Sequence, residues 1–122
     1  MYKIKVSGQF SAAHALHGYK GKCEKPHGHN WKVEVSVAAD KLDKIGMAID
    51  FTDVKKKLNA VLKELDHADL CKHCYFKKVN STSENIAKFI YDKLSGAFKK
   101  TPVELIKVTV WETDNSCASY SL

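Results

Sequence analysis

Two stretches in which apolar and polar residues alternate constrain this chain more than any other feature. From residue 27 to residue 37 the odd positions form one series: His27, His29, Trp31, Val33, Val35 and Val37. From residue 4 to residue 14 the even positions are Ile4, Val6, Gly8, Phe10, Ala12 and His14. A period of two is typical of a strand with one buried face. Both stretches are therefore predicted to be β-strands.

Three histidines fall on the predicted inner faces of these strands. His14 closes the first series, and His27 and His29 open the second. If the strands pair through the connection of residues 15–26, the three imidazoles converge. Three imidazoles with an open fourth position are typical of catalytic zinc, whereas structural zinc usually has four protein ligands, often thiolates. The alternative is an ordinary strand-end His14 followed by two loop histidines.

The length and composition indicate one soluble domain over residues 1–122. The chain is 44% hydrophobic, within the ordinary range for a soluble protein. Its start shows no signal-peptide pattern, and no apolar run reaches transmembrane length. We expect a cytoplasmic protein with no membrane partner, in which the cysteines are thiols and not disulfides. These cysteines are Cys23, Cys71, Cys74 and Cys117.

The positive charge comes entirely from lysine. The formal net charge is +6, and the chain contains no arginine. Sequence-specific nucleic-acid recognition usually relies on arginine, so no nucleic-acid partner is expected. Lys55, Lys56 and Lys57 are interpreted as a solvated helix face. Lys20, Lys22 and Lys25 lie beside the histidines and indicate an anionic substrate.

The middle of the chain predicts two helices separated by a loop. Apolar spacing over Val54–Leu65 indicates the first helix, and Leu65–Leu70 is interpreted as the end of that helix passing into the loop. The loop contains Cys71-Lys72-His73-Cys74, which could be a structural metal or redox pair or simply two loop thiols. Ser81-Thr82-Ser83-Glu84 has the form of a capping box, with Ser81 at the cap of a second helix that stops near Gly96.

Two more strands follow the helices. Ile106, Val108, Val110 and Glu112 share one predicted face, and a short strand from Cys117 to Leu122 ends the chain. The order β-β-α-α-β-β predicts an α+β fold in which an antiparallel sheet carries both helices on one face. Glu112 extends an apolar face, where a carboxylate is costly without a partner. It is interpreted either as a strand end reaching solvent or as an anchor for a ring with adjacent N–H donors.

Several short motifs, weak alone but specific in this order, carry a resemblance to a known family. They are Phe10-Ser11-Ala12-Ala13-His14, Cys23-x-x-x-His27-Gly28-His29-Asn30, Leu65-Asp66-His67, Ser81-Thr82-Ser83-Glu84-Asn85 and Glu112-Thr113-Asp114-Asn115. The chain resembles the 6-pyruvoyl-tetrahydropterin synthase family, in particular the bacterial 6-carboxy-tetrahydropterin synthases of queuosine biosynthesis. The resemblance implies the tunnelling fold, in which trimers join their sheets into a barrel and two trimers form a homohexamer with active sites between subunits.

The resemblance also implies a substrate and roles for individual residues. The substrate is 7,8-dihydroneopterin triphosphate, and Zn²⁺ is held by His14, His27 and His29. Cys23 is the general acid–base thiol, and Asp66 and His67 form a second proton relay. Glu112 anchors the pterin, with further ring contacts from Thr82 and Ser83. A role for Lys22 or a neighbouring lysine toward the triphosphate is our own assignment.

One motif allows two enzymatic functions. Glu24 follows Cys23, so the chain satisfies both Cys-x-x-x-His-Gly-His and the Glu-x-x-His-Gly-His pattern of a related folate branch. We predict a zinc-dependent lyase that forms 6-carboxy-5,6,7,8-tetrahydropterin. The alternatives are cleavage to 6-hydroxymethyl-7,8-dihydropterin through Glu24, formation of 6-pyruvoyl-tetrahydropterin, or a zinc-stabilised binding module without catalysis. Glu24 could also be a solvated loop residue.

Overall fold

The computed structural model describes residues 1–18 and 25–122. Two long strands come first, then a helix, a very short strand, a second helix and a closing pair of strands. Two turns of 3₁₀-helix, Leu70–Lys72 and Tyr75–Lys77, precede the second helix. The elements are β1 (Tyr2–His14), β2 (His27–Ala39), α1 (Phe51–Leu65), β3 (Ala68–Asp69), α2 (Ser83–Ala97), β4 (Glu104–Thr113) and β5 (Ser116–Tyr120).

The strands form one five-stranded sheet in the order β3-β1-β2-β4-β5. The β1–β2 ladder is antiparallel and runs from Tyr2 opposite Ala39 to His14 opposite His27. The predicted α+β class and hairpin order are confirmed. The prediction of a plain loop after α1 is wrong, because Ala68 and Asp69 pair in parallel with β1. A two-residue strand is too short to show a period of two.

Both helices cover the same face of the sheet and enclose a single core. Trp31, Val33, Val35 and Val37 are fully buried, as the alternation predicted. The first helix buries Val54, Leu58, Leu62 and Leu65 against this face, and the second buries a stripe from Ile86 to Leu94. Gly8 lets α1 approach β1 closely, because a Cβ there would lie 3.0 Å from Leu62 Cδ1.

The cap of α2 differs from the prediction. Thr82, and not Ser81, is the N-cap, and its Oγ1 accepts a hydrogen bond from the backbone N–H of Asn85 at 3.1 Å. The preceding Ser81 is buried and has another role at the histidine cluster. The S-x-x-E pattern therefore located the helix start correctly to within one residue, but it assigned the wrong hydroxyl.

The inner face of β4 also differs at one position. The β2–β4 ladder shifts register between Ser36 and Val37, which pair with Lys107 and Leu105 respectively. Leu105 is consequently the buried residue, while Ile106 is only partly covered. A bulge adds one residue to a strand and so interrupts the period of two. Beyond it, Val108 and Val110 face the core as predicted.

No helix in the described part of the chain is long and apolar enough to cross a membrane.

Candidate functional site

Four potential metal ligands meet at one end of the sheet. His14 ends β1, His27 and His29 begin β2, and Glu112 lies near the end of β4; their ligand atoms all lie within 4.8 Å of one another. Nε2 of His14 is 3.0 Å from Nε2 of His27. Oε1 of Glu112 lies 3.2 Å from Nε2 of His14 and 3.1 Å from Nε2 of His29. The three central strands of the sheet thus each contribute to one cluster.

Backbone carbonyls orient two of the imidazoles. His14 Nδ1 is 2.8 Å from the carbonyl oxygen of Ser81, and His27 Nδ1 is 2.8 Å from that of Lys25. A carbonyl only accepts, so each Nδ1–H donates and each Nε2 keeps its lone pair toward the cluster. Metal-ligating histidines are commonly oriented in this way.

His29 shows that the cluster suits a cation. Its Nε2 is buried and has no hydrogen-bond partner, because the close approach of Glu112 lacks hydrogen-bond geometry. Buried polar atoms without a partner are rare and call for an explanation. Burial lowers the pKa of His29 against the opposing effect of Glu112, which favours the neutral imidazole that binds metals. Together, the imidazoles of His14, His27 and His29 and the carboxylate of Glu112 could hold a metal ion.

Glu112 occupies a bulge. In the β4–β5 ladder Trp111 pairs with Cys117 and Thr113 pairs with Ser116, so Glu112 is the extra residue between them. Bulges are common beside functional sites because they redirect a side chain. The Glu112 side chain remains 27% exposed, in contrast to 2% for His14. Its carboxylate is therefore more accessible than the His14 ring and about as exposed as the side chains of His27 and His29, at 26% and 24%.

The indole of Trp31 packs against the histidine cluster on the side of the protein core. Its ring centroid lies 4.9 Å from that of His14 and 5.4 Å from that of His29. The indole N–H donates to the Ala12 carbonyl, so the ring presents no unpaired donor to the site. Sequence reasoning assigned Trp31 only to the core, although its position two residues after His29 indicated this neighbourhood. The Ser81 carbonyl was missed as well, and no side-chain pattern signals a backbone contact.

Asp66 and His67 lie at the same end of the sheet but do not join the cluster. Asp66 Oδ1 accepts from the Ser11 backbone N–H at 2.9 Å, and the His67 N–H donates to the Ser11 carbonyl. Asp66 Oδ2 is 3.6 Å from His67 Nε2. His67 adopts a left-handed backbone, with φ of 56°, and its side chain is 83% exposed. The pair predicted as a proton relay is thus fixed to β1 while its imidazole faces outward.

The start of α2 lies beside the cluster. The Ser81 carbonyl contacts His14, which brings Thr82 and Ser83, the predicted pterin contacts, to this end of the sheet. Cys23, Glu24, Lys22 and Lys20 lie outside the described residues. Lys25 is exposed, and its carbonyl orients His27.

The two loop thiols have different surroundings. Cys71 Sγ lies 3.3 Å from both the backbone nitrogen and the carbonyl oxygen of Ala15, so the thiol accepts one hydrogen bond and donates another. Cys74 is exposed. The metal-capable group found in the described part of the chain contains neither thiol. Cys71 is therefore a hydrogen-bonding partner of the backbone directly after His14.

Comparison with known proteins identifies the family. Residues 3–122 match the family model described as 6-pyruvoyl tetrahydropterin synthase. The chain belongs to this family. The predicted resemblance is confirmed, and nearly the whole chain carries it.

Members of the family with different names resemble the chain. A 6-pyruvoyl tetrahydrobiopterin synthase from Poecilia reticulata is 39% identical over 91% of this chain and 84% of its own length. A 6-carboxy-5,6,7,8-tetrahydropterin synthase from Haemophilus influenzae is 32% identical over 98% of this chain and 99% of its own. The structure of Caenorhabditis elegans 6-pyruvoyl tetrahydropterin synthase matches with a TM-score of 0.87 and 34% identity, covering 99% of this chain and 95% of that one. The chain is accordingly a pterin synthase homologue with the fold of that family.

Proposed function

We propose that this protein is a Zn²⁺-dependent carbon–oxygen lyase that converts 7,8-dihydroneopterin triphosphate to 6-carboxy-5,6,7,8-tetrahydropterin in queuosine biosynthesis. This conversion eliminates triphosphate and also breaks the bond between the first and second side-chain carbons, releasing the outer two carbons. The observation that carries the proposal is the convergence of three imidazoles and one carboxylate at the end of the sheet. The near end-to-end match to the Haemophilus influenzae 6-carboxy-tetrahydropterin synthase supports this branch over the animal one, where the match covers less of both chains.

The donor set supports zinc as the ion. Imidazole nitrogens with a carboxylate oxygen are common zinc ligands, and His14, His27 and His29 would supply the nitrogens. Bound there, Zn²⁺ would supply Lewis acidity toward the hydroxyl oxygens of the substrate side chain. Two of these rings are held in the ligating tautomer by backbone carbonyls. Ser81 accepts the hydrogen bond from His14, and Lys25 accepts the one from His27.

Glu112 is proposed to orient the pterin. Its carboxylate borders the cluster and is partly exposed, so a ring with adjacent N–H donors could reach it. Two charge-assisted hydrogen bonds would fix the ring plane and place the side chain over the histidines. Thr82 and Ser83, at the start of α2 next to the Ser81–His14 contact, would provide further contacts to the ring.

Proton transfer is assigned to residues on two segments. Cys23 is proposed as the base, since a thiolate near a cation has a lowered pKa. Asp66 is proposed to orient His67, because histidine commonly transfers protons near neutral pH. Lys22 is proposed to contact the triphosphate.

The exposure of His67 supports a site shared between subunits. Within one chain its ring faces solvent, with 83% of the side chain exposed, and it lies outside the metal-capable group. A neighbouring subunit could use it if sheets join edge to edge, and both β5 and most of β1 present edges in the described chain. We propose a homohexamer of two barrel-forming trimers, which would cover those edges.

Two other products and one non-catalytic function are the alternatives. Glu24 favours cleavage to 6-hydroxymethyl-7,8-dihydropterin, and the identity to the Poecilia reticulata protein favours the 6-pyruvoyl product. The presence of Glu112 among the ligands would also suit a closed zinc centre in a binding module. The names of the relatives favour catalysis over that module.

Product identification tests the proposal directly. Zinc-loaded protein is incubated with 7,8-dihydroneopterin triphosphate, and the pterins are separated and identified by mass. We expect 6-carboxy-5,6,7,8-tetrahydropterin. A hydroxymethyl or pyruvoyl product would assign the chain to the corresponding branch, and complete recovery of the substrate would overturn catalysis on this compound.

A further inference from the structure

Residues 71–81 are hydrogen-bonded to the last residue of β1 and to the residues that follow it. The Ser81 carbonyl accepts the Nδ1–H of His14, and the Cys71 thiol pairs with the backbone of Ala15. Two residues further on, the His17 N–H donates to Oδ1 of Asn80 at 2.8 Å, and Nδ2 of Asn80 donates to the His17 carbonyl at 2.8 Å. Five hydrogen bonds therefore join His14, Ala15 and His17 to this segment.

Asn80 makes three hydrogen bonds, two through its side chain and one through its backbone carbonyl. Its side-chain amide makes the paired contact with His17, and its own carbonyl accepts from Nδ2 of Asn85 at 2.9 Å. Asn85 lies in the first turn of α2 and is also bonded through its N–H to the Thr82 cap. Only a carboxamide can offer one acceptor and one donor side by side to a backbone N–H and carbonyl. Asn80 thus links the continuation of β1 to the start of α2.

We infer that Asn80 is a positioning residue of the metal centre, an inference that rests on the proposed metal-dependent function. It acts through its neighbour Ser81, whose carbonyl sets the tautomer and ring direction of His14. The paired amide keeps residue 80 at a fixed distance from His17, three residues beyond the ligand. Without this amide, the position of the Ser81 carbonyl relative to the His14 ring is no longer fixed.

The Asn80 amide should affect metal binding because metal affinity depends on the groups that hydrogen-bond to the ligating histidines. Removing a hydrogen-bond partner of a ligating histidine typically lowers metal affinity about 10- to 100-fold. His14 is the most buried ligand, with 2% of its side chain exposed, so solvent does not replace a lost carbonyl partner. We expect removal of the Asn80 amide to lower the metal affinity by a factor within that range.

Cobalt provides a test that does not depend on turnover. Co²⁺ is titrated into metal-free wild-type protein and the Asn80→Ala, Asn80→Gln and Asn59→Ala variants, and both affinity and visible absorption are recorded. Asn59 is an exposed asparagine on α1 beside Gly8, in the middle of the β1–β2 ladder, and serves as the matched control. We expect Asn80→Ala to bind Co²⁺ about 10- to 100-fold more weakly with an altered spectrum at saturation. Asn80→Gln should lie between it and wild type, and Asn59→Ala should match wild type.

Thermal unfolding of the metal-free proteins separates positioning from general stabilisation. If Asn80→Ala unfolds at a lower temperature but keeps wild-type affinity and spectrum, its role is structural only and the inference is overturned. If Asn80→Ala does not fold, Asn80→Ser is measured in its place against the same criteria. Wild-type protein that binds no Co²⁺ would overturn the metal centre itself, whereas normal binding by both wild type and Asn80→Ala would overturn this inference alone.

Discussion

Oε1 of Glu112 lies 3.2 Å from Nε2 of His14, although 98 positions separate the two residues in the chain. The contact depends on β2, which pairs with β1 on one side and with β4 on the other. Because Glu112 also sits on a bulge and is partly exposed, it has two available roles, metal ligand and substrate anchor. Substitution of Glu112 separates these two roles.

Replacing Glu112 by glutamine should weaken substrate use without removing the metal. The neutral amide presents a donor where the pterin ring also donates, so we expect a loss of about 2–4 kcal/mol in transition-state stabilisation. Steady-state constants and zinc content of Glu112→Gln are measured together. Loss of zinc would instead identify Glu112 as a required ligand, and unchanged constants would exclude it as an anchor.

The histidines should each be necessary for a full complement of metal. We expect one zinc per chain in the wild type and a strongly reduced content in His27→Ala and His29→Ala, because each removes one of the nitrogens in the cluster. Metal analysis after gel filtration measures this. His17→Ala is the control, since His17 is exposed and lies outside the metal-capable group. Full occupancy in both test variants would contradict the assignment.

The adjacent Cys23 and Glu24 should control different products. If both are bases, Cys23→Ala should abolish the 6-carboxy product and Glu24→Ala should reduce the hydroxymethyl product. Deleting a general base typically costs about 10²–10⁴-fold in rate, which chromatography of the pterins resolves easily. Unchanged product ratios in Glu24→Ala would make Glu24 a solvated bystander and leave a single-function enzyme.

A shared active site predicts complementation between inactive variants. His14→Ala removes a metal ligand, and His67→Ala removes the outward-facing imidazole, so each should be inactive alone. After unfolding and joint refolding in equal amounts, roughly a quarter of the shared sites should contain both intact residues. Sedimentation should show a hexamer at micromolar concentration. An active monomer, or an absence of regained activity in mixed hexamers, would argue against sharing.

Glu34 should stabilise the sheet in a pH-dependent way. Burial tends to raise its pKa, but the Trp111 indole N–H at 2.8 Å, together with Lys5 and Lys32, lowers the pKa below the ordinary 4.5. The folded state therefore favours the carboxylate, and this contribution is complete above pH 4.5 and lost as the pH falls through the lowered value. Glu34→Gln should cost about 1 kcal/mol of unfolding free energy at neutral pH. Denaturant unfolding measures the cost, which should shrink in acid; a constant difference would contradict it.

Much of the fold could be predicted because its first two strands are long and have one face toward the core and the other toward solvent. The period of two placed His14 and His27 at the same end of a hairpin, and the ladder indeed pairs these two residues. The apolar faces of the two helices, from Val54 to Leu65 and from Ile86 to Leu94, could be predicted equally well from the spacing of apolar residues. Long amphipathic elements repeat the same signal several times, so one ambiguous residue does not change the interpretation.

The remaining features depend on contacts that leave no mark on local sequence. The bulge that buries Leu105 in place of Ile106 arises from pairing with β2, and β3 exists only because Ala68 meets Ala12. At the site, the Ser81 carbonyl acts through the backbone, which any residue could supply. His67 has a positive φ of 56° and an exposed side chain, and the residue type alone determines neither feature.

The distribution of the ligands over β1, β2 and β4 links metal occupancy to the completion of folding. A chain that has formed only its first hairpin offers three imidazoles, while the carboxylate of Glu112 arrives only after β4 has paired with β2. A ligand that binds only the native state raises the free energy of unfolding in proportion to the logarithm of its concentration. An ion held by all four residues would therefore favour the finished sheet over partly paired intermediates, so cellular metal supply would influence how much of this protein persists.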